Sequence, residues 1–173
     1  MYAIGDLIIH GSSGVCRVEE ITMLSVKGSP DGPRPYYILK PLYQSGTITT
    51  PADSDKVFSR PVISKDEALS LIDSIPGVEA ASYNNSNLQQ LEAHYKASFV
   101  SHSCEDLIYL TKSIYAKKRE REAAKLKFGA VDRRYMDRAE DLLFGEFAVA
   151  LGITRDEVPE FISLRLGGRT LAD

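Results

Sequence analysis

The sequence predicts an α+β chain in two domains, a small β-barrel followed by an all-α helical domain. Three observations carry this. Residues 1–57 hold four or five short apolar or β-branched runs separated by turns rich in glycine and proline, the pattern of a small barrel or strongly bent sheet. From Ser64 onward, apolar residues recur at helical spacing behind Ser/Thr-x-x-Glu/Gln starts, which read as capped amphipathic helices. Between the two, Asp53, Ser54, Asp55 and Lys56 break the hydrophobic pattern. A β block followed by a helical block favours two domains over one mixed sheet, here 1–57 and 58–173.

The first strand is the run Leu7-Ile8-Ile9, entered through a turn at Gly5-Asp6. His10 to Gly14 (HGSSG) can reverse the chain, because both of its glycines tolerate positive φ. Val15 to Val18 resumes a strand that continues through Ile21, Met23, Leu24 and Val26. Lys27 to Pro35 (KGSPDGPRP) is a surface turn by composition. Tyr36 to Leu42 is the next strand, with Pro41 near its end favouring an edge or a bulge. After Tyr43 to Gly46, Thr47 to Thr50 makes a short β-branched strand ended by Pro51.

Helix starts follow. Ser64 with Glu67 caps a short helix that Pro76-Gly77 ends. Ser86 with Gln89 opens a helix carrying Leu88, Leu91, Tyr95 and Phe99. Ser103 caps a long helix from Cys104 to Phe128, whose apolar stripe fades after Tyr115. Asp132 caps a helix with Tyr135, Met136, Ala139, Leu143 and Phe147 at helical spacing, and Thr154 with Glu157 opens the last one. Gly167-Gly168 ends regular structure, and the residues beyond it are expected to fray.

Composition bounds the chemistry. With 43% hydrophobic and 26% charged residues in a chain of 173, the protein is of ordinary globular type. No run approaches the roughly 20 apolar residues of a membrane span, and no basic-then-apolar leader opens the sequence, so a cytoplasmic location is expected. Cys16 and Cys104 are the two cysteines, too few for a disulfide framework or a zinc site. His10, His94 and His102 are scattered, and the last two stand two helical turns apart where metal pairs stand one. There is no GxGxxG, GxxxxGK, HExxH or GxSxG. No enzymatic activity, cofactor, metal or small-molecule substrate is therefore expected.

Charge distribution points elsewhere. Residues 112–138 carry ten Lys and Arg against four Asp and Glu, a local +6 in a chain of net −3, which leaves −9 on the remainder. Lys117, Arg121 and Lys125 recur every four residues, and Arg133 and Arg134 open the next helix beside the same corner. Such a cluster suits nucleic-acid phosphates without reading base sequence. Glu120 and Glu122 pair with some of these cations in any reading.

The stretch Tyr2 to Ile21 (YAIGDLIIHGSSGVCRVEEI) resembles the opening of the CarD family of bacterial transcription regulators. The resemblance rests on Gly5-Asp6, Ile8-Ile9, Gly14-Val15, Val18 and Ile21, and on the order of elements through the helical half. His10-Gly11 and Ser13 stand where the family usually has an aromatic-proline pair and often a histidine. The resemblance implies a Tudor-like (SH3-like) RNA polymerase interaction domain, shared with transcription-repair coupling factor, that docks on the polymerase β subunit. It places that contact at Met23, Leu24, Val26, Thr47 and Thr49. The family often has arginine near the positions of Leu24 and Thr49, so the interface here is expected to be less electrostatic.

By the same resemblance the helical domain contacts upstream promoter DNA and changes the stability of the open promoter complex. The expected contacts are Lys96, Lys117, Arg121, Lys125, Arg133 and Arg134. The family's minor-groove tryptophan has no counterpart in this tryptophan-free chain. Leu91 is the first candidate for that wedge and Leu88 the second, although Leu91 also reads as core through its helical spacing with Leu88 and Tyr95. Ala93-His94 stands where the family tends to carry a basic pair. The alternative is a polymerase-binding adaptor that has lost DNA contact.

Overall fold

The computed structural model of the chain describes residues 1–25 and 32–173. Its contacts divide it into two compact units, Met1–Val62 and Ile63–Asp173.

The first unit is an antiparallel sheet. Its strands are β1 (Leu7–His10), β2 (Val15–Leu24), β3 (Arg34–Pro41), β4 (Ile48–Pro51) and β5 (Ser59–Pro61), in the order β4-β3-β2-β1-β5. A 3₁₀ turn at Gly11–Ser13 reverses the chain between β1 and β2, with Gly11 and Gly14 both at positive φ. Leu7 then pairs with Arg17 and Ile9 with Val15. The ladder between β2 and β3 shifts register between Val18 and Glu20, a bulge that bends the strand. Alternation puts Ile8, Cys16, Val18, Tyr37 and Leu39 into one core, with Tyr2, Ile21, Ile48 and Ala52 packed against it. Pro41 sits at the end of β3 past the reach of β4, which pairs only with Tyr36 to Leu39.

The expected closed barrel is not formed. β4 and β5 are the two sheet edges and no ladder joins them among the described residues. At four and three residues they are too short to wrap round and meet. The first unit also runs past residue 57, because Ser59–Pro61 pairs with β1 and the Val62 amide donates to the Leu7 carbonyl at 3.3 Å.

The second unit is all helical: α1 (Lys65–Ser74), α2 (Leu88–Ala97), α3 (Cys104–Ala123), α4 (Ala130–Leu151) and α5 (Val158–Arg165). The Ser64 hydroxyl accepts from the Glu67 amide while the Glu67 carboxylate accepts from the Ser64 amide, a complete capping box. Ser103 caps α3 by accepting from the Asp106 amide, and a second capping box joins Thr154 and Glu157. Asn87, one residue past the expected Ser86, caps α2. On α4, Tyr135, Met136, Ala139, Leu143 and Phe147 are buried at three- and four-residue intervals and meet Leu91, Tyr95, Leu107, Ile108, Leu110 and Ile114 in one core. Each Leu, Ile, Met or Phe side chain among them contributes about 1.5–3 kcal/mol on burial.

Three expectations change here. α3 ends at Ala123 rather than Phe128, and Lys125 takes a left-handed φ of 56°. Asp132 lies inside α4, whose N-cap is Gly129. The C-terminal segment is packed rather than frayed: Leu171 is buried, the Thr170 amide donates to the Asp173 carboxylate, and Arg119 donates to the Ala172 carbonyl. Among the described residues no helix is long and apolar enough to cross a membrane.

Candidate functional site

Two surfaces collect the residues the sequence singles out, one on each unit. On the sheet, Leu24 pairs with Arg34, Thr22 with Tyr36 and Glu20 with Ile38, while Thr49 pairs with Ile38 across the next ladder. Residues paired in register share a face, so Leu24 and Thr49, both exposed, belong to one face with the half-buried Thr22, Arg34 and Ile38 and the buried Tyr36. Met23, 61% exposed, points to the opposite side with Ile21 and Tyr37, past the end of the core. Thr47 is exposed just before β4, the edge strand. An edge offers its unpaired backbone to another chain. Val26 lies outside the described residues.

Sequence reasoning missed Arg34. Its guanidinium lies 5.6 Å from the centroid of the Tyr36 ring and 3.9 Å from the Asp53 carboxylate. Cross-strand register sets this cation directly opposite Leu24. The face that carries Leu24 and Thr49 therefore includes an arginine after all. The signal was present in Arg34-Pro35 at the end of the long turn, but only the register reveals it.

On the helical unit, the basic residues separate into two groups. Lys117 is buried, with its Nζ 2.7 Å from Asp132 Oδ1, and the Tyr95 hydroxyl donates to the same oxygen at 2.6 Å. Burial, then the hydrogen bond to Asp132, raises the Tyr95 phenol far above its ordinary value. Lys117 thus ties α3 to α2 and α4 and is not a phosphate contact. Gly129 allows this arrangement: a Cβ there would lie 2.7 Å from Asp132 Oδ2. Leu91 is also corrected. It is 3% exposed within the core, since α2 packs that face against α4, and cannot act as a wedge. Leu88, one turn earlier, is 60% exposed.

Lys112 is buried as well, its Nζ donating to the Ile75 carbonyl at 2.8 Å, whereas the other expected contacts stay near the surface. Arg121 donates from Nε to the Lys127 carbonyl at 2.6 Å and so closes the turn after α3. Lys125 is exposed in that turn, so Lys117, Arg121 and Lys125 do not make the single exposed face their spacing implies. Arg133 and Lys118 both approach the Phe128 ring, at 5.5 Å and 5.9 Å from its centroid, a cation–π arrangement that holds two charges at one place. Arg134 lies 5.2 Å from the Tyr135 centroid and donates to Glu92 Oε1 at 2.7 Å, while Lys96 Nζ stands 3.6 Å from Glu92 Oε2. A shallow depression of about 450 Å³ runs along the exposed side of α4 past Arg133, Arg134, Asp137, Arg138 and Asp141. No group of three or more His, Cys, Asp or Glu is placed to hold a metal among the described residues.

Comparison with known proteins bears on the first surface. Residues 2–63 match the family model of the CarD-like/TRCF RID domain. The N-terminal unit is a CarD-like RNA polymerase interaction domain. No curated protein matches the chain closely enough to count as a relative. The CarD-like match covers all five strands, and with them Met23, Leu24, Thr47, Thr49 and Arg34. It stops where the helical unit begins, so the basic corner of α2, α3 and α4 stands on its own geometry.

Proposed function

We propose that this protein is a non-enzymatic transcription regulator that binds RNA polymerase through its CarD-like domain and touches upstream promoter DNA through its helical unit. The CarD-like match over residues 2–63 carries the polymerase half of this reading. Its contact surface is the face of Leu24, Arg34 and Thr49 with the β4 edge, and its partner is the polymerase β subunit. Lys96, Arg121, Lys125, Arg133 and Arg134 supply the DNA half, joined by Lys118 at the Phe128 ring. Leu88 is an exposed apolar residue suited to a minor groove. The output is a changed lifetime of the open promoter complex.

A titration against the isolated β-subunit lobe of the host's RNA polymerase tests this, with open-complex lifetime as the second readout. Leu24→Glu is expected to abolish saturable lobe binding and the promoter effect together. The double change Arg133→Glu, Arg134→Glu is expected to leave lobe binding intact and remove the promoter effect. A folded protein that shows no saturable binding to the lobe refutes the polymerase half.

A second reading has its own support. Leu91 and Lys117 are both buried, and Glu92 offsets Lys96 and Arg134. A polymerase-binding adaptor without DNA contact fits these three facts. It predicts that reversing Arg133 and Arg134 leaves the promoter effect unchanged.

A further inference from the structure

Glu92 sits between the two cations that best flank the exposed side of α2. It reaches Lys96 one turn on in the same helix, and Arg134 from the first turn of α4. Each carboxylate oxygen takes one of them: Oε1 accepts from Arg134 Nη2 at 2.7 Å and Oε2 lies 3.6 Å from Lys96 Nζ. The hydrogen bond from Arg134 is the leading influence that holds this carboxyl below its ordinary range, so it is ionised at neutral pH. Lys96 and Arg134 are largely exposed, with side chains 66% and 61% accessible, whereas Glu92 is at 30%. The acid is thus set back behind two outward-facing bases.

We propose that Glu92 is an acidic clamp that competes with DNA phosphates for Lys96 and Arg134, and so limits how tightly the α2–α4 corner grips the nucleic-acid backbone. This rests on the DNA half of the proposed function. The three side chains together carry a net charge of +1, and removing the carboxylate makes it +2. An exposed ion pair is worth little, so phosphates can displace Glu92 from either base. The clamp weakens binding without closing the site.

The experiment is a salt titration of the full-length chain on a fluorescently labelled DNA duplex of mixed sequence. Glu92→Gln keeps the shape and removes the charge. It is expected to tighten binding about two- to fivefold, the range that an exposed ion pair spans. It should also steepen the slope of log affinity against log salt by about 0.9, one further phosphate neutralised. The gain should vanish in a Lys96→Gln, Arg134→Gln background. Unchanged affinity in Glu92→Gln, with binding still lost in Arg133→Glu, Arg134→Glu, overturns the clamp and leaves the DNA contact standing. A gain that persists in the Lys96→Gln, Arg134→Gln background assigns it to bulk charge and also overturns the clamp. If neither the natural chain nor Glu92→Gln binds the duplex, the DNA half of the function falls and the clamp with it.

Discussion

Asp132 Oδ1 receives two donors, the Tyr95 hydroxyl from α2 and the Lys117 ammonium from α3, and all three residues are buried. A buried pair of this kind adds little over an apolar replacement, but breaking one side strands a charge in a medium that cannot solvate it. Asp132→Ala is therefore expected to cost about 3–5 kcal/mol, read by equilibrium denaturant unfolding. The paired change Asp132→Ala, Lys117→Met should recover most of that loss, because no charge is then left unpartnered. If the single variant is as stable as the natural chain, the ion pair is not what joins the three helices. The sequence offers no view of this triad. Lys117 shares its four-residue spacing with Arg121 and Lys125, and spacing alone cannot separate a lysine that turns inward from one that faces water.

At the scale of elements, the helix starts were the most legible part of the chain. Ser64 with Glu67, Ser103 and Thr154 with Glu157 form the expected caps, because a cap is a local interaction completed within four residues. Sheet closure was not legible, since it depends on whether β4 and β5 meet, and neither strand's own sequence records that. The α3–α4 contact holds another feature invisible to periodicity. Tyr115 donates to Glu140 Oε1 at 2.6 Å beside a cavity of about 280 Å³ that Phe144, Ile162 and Leu171 also line. Burial raises the Glu140 carboxyl above its ordinary value, against the pull of the Tyr115 hydrogen bond. A carboxyl raised on folding stabilises the fold below its unfolded pKa, and that contribution is lost as pH rises through the raised one. Glu140→Gln keeps an acceptor for Tyr115 and never charges. It should melt higher than the natural chain at neutral pH, with the difference shrinking as pH falls through the raised Glu140 value and gone below about 4.3, the ordinary glutamate value. A difference that does not vary with pH would assign the effect to packing.

For the whole molecule, the question is what two modest surfaces gain from sharing one chain. The sheet face presents Leu24, Thr49 and Arg34, and the helical unit presents the exposed cations of a segment of local charge +6, within which Lys112, Lys117 and Asp132 are buried. Neither surface has the large apolar centre of a tight interface. A phosphate contact alone weakens steeply with salt. In the proposed function, however, holding the CarD-like domain on polymerase would bring the helical unit to promoter DNA at an effective concentration in the mM range. A weak contact is then occupied without any new interaction. Tethering requires the two surfaces to be on the same molecule. Full-length Leu24→Glu retains the basic corner, and full-length Arg133→Glu, Arg134→Glu retains the polymerase face. Mixing the two variants supplies both surfaces, but on separate chains. The mixture is expected to leave the open-complex lifetime where polymerase alone leaves it, even at concentrations where the natural chain acts in full. Recovery of the effect in the mixture would mean that the surfaces work independently, and the covalent link would then have no part in the mechanism.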